Sequence, residues 1–196
     1  MMNKNLIYIS ILVIALGAGA SWVIQKAGSS FDLPIIKEVP EFQFINQNGE
    51  PFSESNLKGK ISVLDFMFTG CPGPCPIMTN NMAGLYEDYI NIPEVQFVSV
   101  TVDPEVDTET VLKSYADAHG VTDKRWQFLT SDIESIRKLK RDGFLLYAKE
   151  LPQGHAIKFI LIDEAGNIRK YYDGTDKASL EVLRNDLTQL VQHIRS

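Results

Sequence analysis

The stretch "FMFTGCPGPCPIMTNNM", residues 66–82, contains both cysteines of the chain, Cys71 and Cys75. The apolar run "ISVLDFMF" at 61–68 ends shortly before them, and such a nearly continuous run is typical of a strand buried on both faces. We expect a helix to begin within the cysteine stretch and to continue to about Ile90. A buried strand, a cysteine-containing turn and a helix, in this order, decide the expected fold.

Strands and helices alternate along the rest of the chain. Predicted strands lie at 95–102, 125–130, 158–163 and 168–173, and predicted helices lie at 108–118, from the capping-box sequence "SDIE" at 131–134, and at 176–194. The pair Asn48-Gly49 predicts a hairpin turn near the start. The alternation predicts an α/β domain with a mixed central sheet and an N-terminal hairpin, in the order of a thioredoxin-like fold. In that fold, strand 158–163 runs antiparallel to strand 61–68.

The N-terminus has a different character. The segment Leu6–Ile24 contains 19 residues without a charge, about the length that spans a bilayer as a helix. Lys4 precedes it, so we expect the short N-terminal side to stay in the cytoplasm. The sequence therefore predicts one transmembrane helix in an anchor segment, residues 1–26, a tether at 27–40 and a globular domain at 41–196.

A cleaved signal peptide is the alternative reading of the same segment. The small residues Ala18–Ala20 resemble a cleavage site, although the apolar run continues past them to Ile24. Both readings put the domain on the exported side of a bacterial-type cytoplasmic membrane, where thiols tend to oxidise.

Composition narrows the possible functions. Hydrophobic residues make up 44 % and charged residues 22 % of the chain, which is sufficient for an ordinary globular core. The net charge is −6, with 25 acidic against 19 basic residues, and the sequence has no basic block. Nucleic acid is therefore not an expected partner.

The close spacing of the two cysteines argues against a structural disulfide. Closing a loop of about five residues stabilises a fold by roughly 2 kcal/mol, against almost 5 kcal/mol for a loop of a hundred. A helix start favours thiolate over thiol, and Pro72, Pro74 and Pro76 stiffen the turn. Two converging sulfurs on a rigid turn can exchange with disulfides or bind a soft metal ion.

A third ligand would favour the metal. His119 and His193 lie at predicted helix C-termini, where an imidazolium interacts favourably with the helix dipole. His155 lies just before strand 158–163, whose start is expected beside the end of strand 61–68. His155 is therefore the candidate third ligand, and an ordinary loop histidine is the alternative that the topology leaves open.

The motifs "FTGCPGPCP", "VDPEVDTETVLKSYA", "RWQFLT" and "GHAIKFILIDEAGNI" resemble, in order and spacing, the SCO/SenC family of copper proteins. The resemblance covers roughly residues 40–194. It implies a membrane-tethered, thioredoxin-like domain that helps to assemble the copper centre of cytochrome c oxidase. It also implies copper ligation by Cys71, Cys75 and His155, with Asp103 as a neighbouring residue that supports the ligands.

Three positions depart from the family pattern. Gly73 and Pro74 stand where an acidic and then an apolar residue are usual, and Gly154 stands where an acidic residue commonly precedes the histidine. These departures leave the ligands in place but remove nearby negative charge.

Two functions from different classes are expected, the first from the resemblance and the second from the thioredoxin-like order and the missing acidic neighbours. The first is a copper metallochaperone whose partner is the copper-centre subunit of the oxidase or another copper chaperone. The second is a membrane-bound thiol-disulfide reductase that keeps oxidase-subunit cysteines reduced, with Cys71 and Cys75 as its redox-active pair. A peroxide-reducing thiol enzyme is a third reading, suggested by the fold alone.

Overall fold

The computed structural model describes residues 33–152 and 156–195. Its strands are β1 (Lys37–Glu38), β2 (Gln43–Asn46), β3 (Pro51–Ser53), β4 (Ile61–Met67), β5 (Val95–Thr101), β6 (Trp126–Thr130), β7 (Lys158–Ile162) and β8 (Asn167–Asp173). Its α-helices are α1 (Cys75–Asp88), α2 (Glu109–Ala118), α3 (Ile133–Lys138) and α4 (Lys177–Arg195). A short 3₁₀ turn, Glu54–Asn56, follows β3, and a π-helical turn, Leu139–Gly143, follows α3.

The described strands form one mixed sheet in the order β1-β8-β7-β4-β5-β6-β2-β3. Strands β4, β5 and β6 are parallel, because α1 and α2 carry the chain back between them. Strands β2 and β3 form an antiparallel hairpin, and Gly49 in its turn has a φ of 75°, which glycine adopts without strain. The mixed α/β sheet and the N-terminal hairpin confirm the sequence prediction.

Helices cover both faces of the central strands. On one face, Tyr86 of α1 packs edge-on against Phe97 of β5, with ring centres 6.1 Å apart. On the other face, Phe144, just after the π-helical turn, packs against Phe66 of β4 at 5.4 Å. Strand β4 is therefore covered on both sides, and all seven of its residues are buried, as its apolar sequence predicts.

Local capping fixes where two of the helices begin. Thr108 accepts a hydrogen bond from the Val111 N–H and caps α2. Asp132 accepts one from the Ser135 N–H and caps α3, so the cap lies one residue later than the capping-box sequence starting at 131 indicates. These bonds satisfy N–H groups that have no partner within the helix.

The sheet begins earlier in the chain than the predicted domain. The sequence predicts a tether at 27–40, but Lys37 and Glu38 within it form β1 and pair with β8. The Val39 N–H also donates to the Gly166 carbonyl at 2.9 Å, and the Val39 side chain is buried. The last residues before position 41 are thus part of the folded unit.

The predicted membrane helix at Leu6–Ile24 lies outside the described residues. Within residues 33–152 and 156–195, no helix combines the length and the apolar character needed to cross a bilayer.

Candidate metal centre

The cysteines lie where the chain passes from the central strand β4 to helix α1. Cys75 is the first residue of α1, and Pro74 occupies the N-cap position with a φ of −77° and no side-chain hydrogen bond to the helix. The Met78 N–H donates to the Pro74 carbonyl at 3.0 Å, which closes the first helical turn. Cys71 lies four residues earlier, in the segment 68–74, which we call the cysteine loop. The expected strand–turn–helix order around the pair is confirmed.

The two sulfurs are adjacent and largely shielded from solvent. Cys71 is 8 % exposed and Cys75 is 1 % exposed, and both carry thiols. The side chains of Cys71 and Cys75 are hydrogen-bonded to each other, and the bond raises the pKa of Cys75, as expected when its thiol is the donor. Two adjacent sulfurs suit either a soft metal ion or a disulfide.

Burial dominates the electrostatics of Cys75. It raises the pKa of the Cys75 thiol to about 12, and the neighbouring Cys71 and Asp65 act in the same direction. A backbone hydrogen bond from Phe68 acts in the opposite direction. The preference for thiolate that we expected from the helix start is therefore outweighed by desolvation in the metal-free protein.

A buried aspartate, Asp107, stabilises the cysteine loop through hydrogen bonds. Asp107 accepts hydrogen bonds from the Thr69 N–H at 3.0 Å, from the Thr101 hydroxyl at 2.6 Å, and from the Thr69 hydroxyl. Its side chain is completely shielded from solvent. Because Thr69 lies two residues before Cys71, this carboxylate fixes the backbone from which the first sulfur projects.

Asp103 lies in the same loop as Asp107, at its start. Its N–H donates to the Thr101 hydroxyl at 3.0 Å, and its carbonyl accepts from the Asp107 N–H at 2.8 Å. Partial burial raises the pKa of the Asp103 carboxyl, and the nearby negative charges of Asp107 and Glu105 add to the shift. The supporting role that the resemblance implies for Asp103 stays a prediction.

A second buried carboxyl lies on β4 itself. Burial raises the pKa of Asp65 to about 7, although a hydrogen bond from Ser99 on β5 acts against the shift. The Ser99 hydroxyl accepts a hydrogen bond from Trp126 Nε1 at 3.0 Å. The hydroxyl proton of Ser99 is therefore available to Asp65. Asp65 Oδ1 has no hydrogen-bond partner within the described part of the chain.

His155, the predicted third ligand, lies outside the described residues. The pairing on which its prediction depends is confirmed, since β7 runs antiparallel to β4 with Ser62 opposite Ile162 and Leu64 opposite Ile160. The start of β7 therefore lies at the same end of the sheet as the end of β4. Within the described ranges, no three His, Cys, Asp or Glu side chains are grouped so that they could hold a metal ion.

The family model of SCO1/SenC matches residues 35–192. The chain belongs to the SCO1/SenC family. A SCO1/SenC family lipoprotein from Bacillus anthracis shares 37 % identity and superimposes with a TM-score of 0.72, covering 79 % of this chain and 95 % of that one. The predicted thioredoxin-like fold is that of the family and is confirmed.

Two further solved structures resemble this SCO1/SenC chain. BsSco, a member of the Sco family of cytochrome c oxidase assembly proteins with an identified disulfide switch, is 28 % identical at a TM-score of 0.70, covering 80 % of this chain and 95 % of that one. ScoI of Arabidopsis thaliana, solved with copper bound, is 24 % identical and superimposes with a TM-score of 0.65. The match covers 76 % of this chain and 98 % of that one. At the latter identity the likeness shows the fold alone.

Sequence reasoning on this SCO1/SenC chain missed three buried polar residues near the cysteines. Asp65 did give a signal, as the one charged residue in the apolar run at 61–68. Asp107 lies in the motif "VDPEVDTETVLKSYA", but the resemblance implies a role only for Asp103. Lys140 gave no signal, because only the tertiary fold buries it.

Proposed function

We propose that this protein is a membrane-anchored copper chaperone that helps to load copper into cytochrome c oxidase. In this proposal Cys71, Cys75 and His155 bind the metal, and Asp103 supports them. The observation that carries it is the adjacency of two shielded sulfurs at the start of α1 in a chain of the SCO1/SenC family.

The chemistry of the donors supports copper as the cargo. Two thiolates and one imidazole match the preference of Cu(I) for soft ligands, and ScoI of Arabidopsis carries copper on the same fold. Cys71 is more exposed than Cys75, at 8 % against 1 %, which suits a protein that must release its metal to a partner. The acceptor in this proposal is the copper-centre subunit of the oxidase or another copper chaperone.

The redox state of the cysteines would control loading. The ligands are thiolates, so copper binding displaces a proton from each thiol. Oxidation to a Cys71–Cys75 disulfide removes both sulfur ligands and releases two electrons and two protons to the oxidant. We therefore expect only the dithiol form to take up copper.

The proposal includes a membrane attachment for the domain. Residues 1–26 would anchor the chain through the apolar segment Leu6–Ile24, residues from 27 would form the tether, and the globular domain would lie on the exported side. The Bacillus anthracis relative is a lipoprotein, which supports attachment of this kind of domain to a membrane.

Copper competition on the full chain in detergent tests the proposal. The reduced wild-type protein should take about one equivalent of Cu(I) from a chromophoric chelator. His155→Ala should weaken binding at least 10-fold, since even the loss of an outer partner typically costs about 10- to 100-fold. His119→Ala is the matched control, because His119 Nδ1 contacts the Tyr115 carbonyl at 2.9 Å on α2.

Two results would contradict the copper proposal. One is a reduced wild-type protein that takes no copper from the chelator. The other is a His155→Ala protein whose affinity equals that of His119→Ala.

A thiol-disulfide reductase is the second candidate, favoured by the unequal exposure of the two cysteine residues. The more exposed Cys71 would attack a substrate disulfide as thiolate, form a mixed disulfide and release one substrate thiol. The buried Cys75 would then attack Cys71, which releases the second thiol and leaves a Cys71–Cys75 disulfide. Reduction of a disulfide peptide at wild-type rate by His155→Ala would favour this candidate over the first.

A further inference from the structure

Lys140 is completely buried, which is unusual for a lysine. Its Nζ has no hydrogen-bond partner within the described part of the chain. An unpaired ammonium is costly to bury, and buried polar groups without partners are rare in native proteins. The cost of burying this lysine suggests that it has a role in the metal-bound protein.

The side chain lies at the cysteine end of the sheet. Lys140 Nζ is 5.7 Å from the centre of the Phe66 ring, and Phe66 is the penultimate residue of β4, five residues before Cys71. Burial lowers the pKa of Lys140 to about 8, and the charge of Cys75 acts against this shift. Lys140 therefore lies near the end of β4, which leads into the segment that carries the two cysteines.

The turn that carries Lys140 is held in place by packing. The Lys140 carbonyl accepts from the Leu146 N–H at 3.0 Å, and Gly143 lies so close to Pro40 that an added Cβ would come within 3.0 Å of its ring. The π-helical geometry of the turn is rare and is frequent at functional sites. The lysine therefore keeps its inward position on a fixed backbone.

A charge count shows what the lysine would do in a loaded site. Cu(I) bound by two thiolates has a net charge of minus one, whereas Zn²⁺ bound by two thiolates is neutral. A buried ammonium offsets the first complex and leaves an excess positive charge beside the second. Charge in a shielded site is costly unless it is balanced.

We propose that Lys140 is a buried counter-cation that makes the Cys71–Cys75 site select a monovalent soft ion over Zn²⁺. This inference rests on the proposed metal-binding role of the cysteines and adds a determinant of metal specificity. In this proposal Lys140 acts electrostatically on the thiolates and does not bind the metal itself.

Asp65 on β4 is also buried, and its negative charge acts on Cys75, so it must be included in the same charge count. Ionised, it would add a negative charge that offsets Lys140. The experiment is therefore performed below the pKa of Asp65, which is about 7, so that this carboxyl is mostly neutral while Lys140 is charged.

The test compares metal affinities of the reduced full chain in detergent and chloride-free buffer. Ag(I) serves as a redox-inert monovalent probe, Zn²⁺ as the divalent probe, and Cu(I) as the proposed cargo. Lys140→Met should weaken Ag(I) and Cu(I) about 10- to 100-fold, the range typical of partners outside the ligand shell, and should leave Zn²⁺ unchanged or tighter. Lys140→Arg keeps the charge and should keep the wild-type order of affinities.

Lys138→Met is the matched control, because Lys138 is exposed at the end of α3, and it should change no affinity. Equal losses for Ag(I) and Zn²⁺ in Lys140→Met would indicate general damage and overturn the proposal, as would an unchanged Ag(I) affinity or a wild type that binds neither probe. A wild type that binds Ag(I) but not Cu(I) would refute the copper function instead, and the Ag(I)/Zn²⁺ ratio would still decide the role of Lys140.

Discussion

At the scale of single residues, two buried ionisable side chains, Asp65 and Lys140, set the electrostatics near Cys75. Asp65 and Lys140 both interact electrostatically with Cys75, and burial shifts both pKa values towards the neutral form. Such shifts concentrate at functional sites, and they also carry a cost in stability that can be measured.

The first prediction concerns Asp65 and pH. Its pKa in the folded protein is about 7, above the ordinary value of 3.8, so the native state holds this proton more tightly than the unfolded chain does. The free energy of unfolding should therefore fall as pH rises from about 4 to about 7, by roughly 4 kcal/mol from this residue. Asp65→Asn should remove the fall while keeping the hydrogen bond from Ser99.

Urea unfolding at several pH values measures this effect. The stability of Asp65→Asn relative to wild type should increase between about pH 4 and 7 and stay level above that range. Glu87→Gln, at an exposed position on α1, is the control and should follow the wild-type curve. Parallel curves for wild type and Asp65→Asn would contradict the assigned pKa.

The second prediction concerns the departure from the family pattern at Gly73. A Cβ added there would lie 3.9 Å from Cys71 Sγ, in ordinary contact and without a clash. Gly73→Asp should slow alkylation of Cys71 at neutral pH by about 3- to 10-fold, because a nearby negative charge disfavours the reactive thiolate.

Gly73→Asn provides the matched control, since it has nearly the same shape without the charge. It should react at close to the wild-type rate when labelling with iodoacetamide is followed by mass spectrometry. Equal rates for the Asp and Asn variants would show that charge at this position does not reach the sulfur.

At the scale of elements, helix α1 and the π-helical turn bring the site together from opposite faces of the sheet. The sequence predicted the start of α1 because prolines and a preceding apolar strand mark it clearly. It did not predict the π-helical turn, since residues 139–143 carry no pattern that distinguishes this turn from a loop. In this turn Gly143 packs closely against Pro40, which lies about a hundred positions away in the sequence.

The third prediction uses two glycine substitutions with opposite signs. Gly143→Ala should destabilise the fold by about 1 kcal/mol or more, because the new Cβ would crowd the rigid Pro40 ring at 3.0 Å and Leu139 at 3.1 Å. Gly84→Ala should stabilise it by about 0.5–1 kcal/mol, since Gly84 lies inside α1 with open space around it.

Thermal unfolding of the two variants and of the wild type checks whether Gly143→Ala lowers the stability and Gly84→Ala raises it. A Gly143→Ala protein as stable as Gly84→Ala would mean that the turn relaxes freely, and Lys140 would then not be held inward by it.

At the scale of the whole molecule, the fold brings together residues that are far apart in the chain. The alternation of strands and helices predicted the sheet, and the antiparallel pairing of β7 with β4 predicted which end of β7 lies near the cysteines. The inclusion of Lys37 and Glu38 in the sheet was not predicted, because a two-residue edge strand has no periodicity to read. Buried polar residues such as Asp107 were missed for a related reason, since their partners are set only by tertiary contacts.

The central claim is that two sulfurs and one imidazole bind copper on this fold. X-ray absorption at the copper edge, measured on the reduced, copper-loaded full chain, tests it most directly. The account predicts two sulfur scatterers and one nitrogen scatterer of the imidazole type, with the nitrogen lost in His155→Ala and both sulfurs retained. A wild-type spectrum with fewer than two sulfurs, or with the imidazole signal unchanged in His155→Ala, would contradict it.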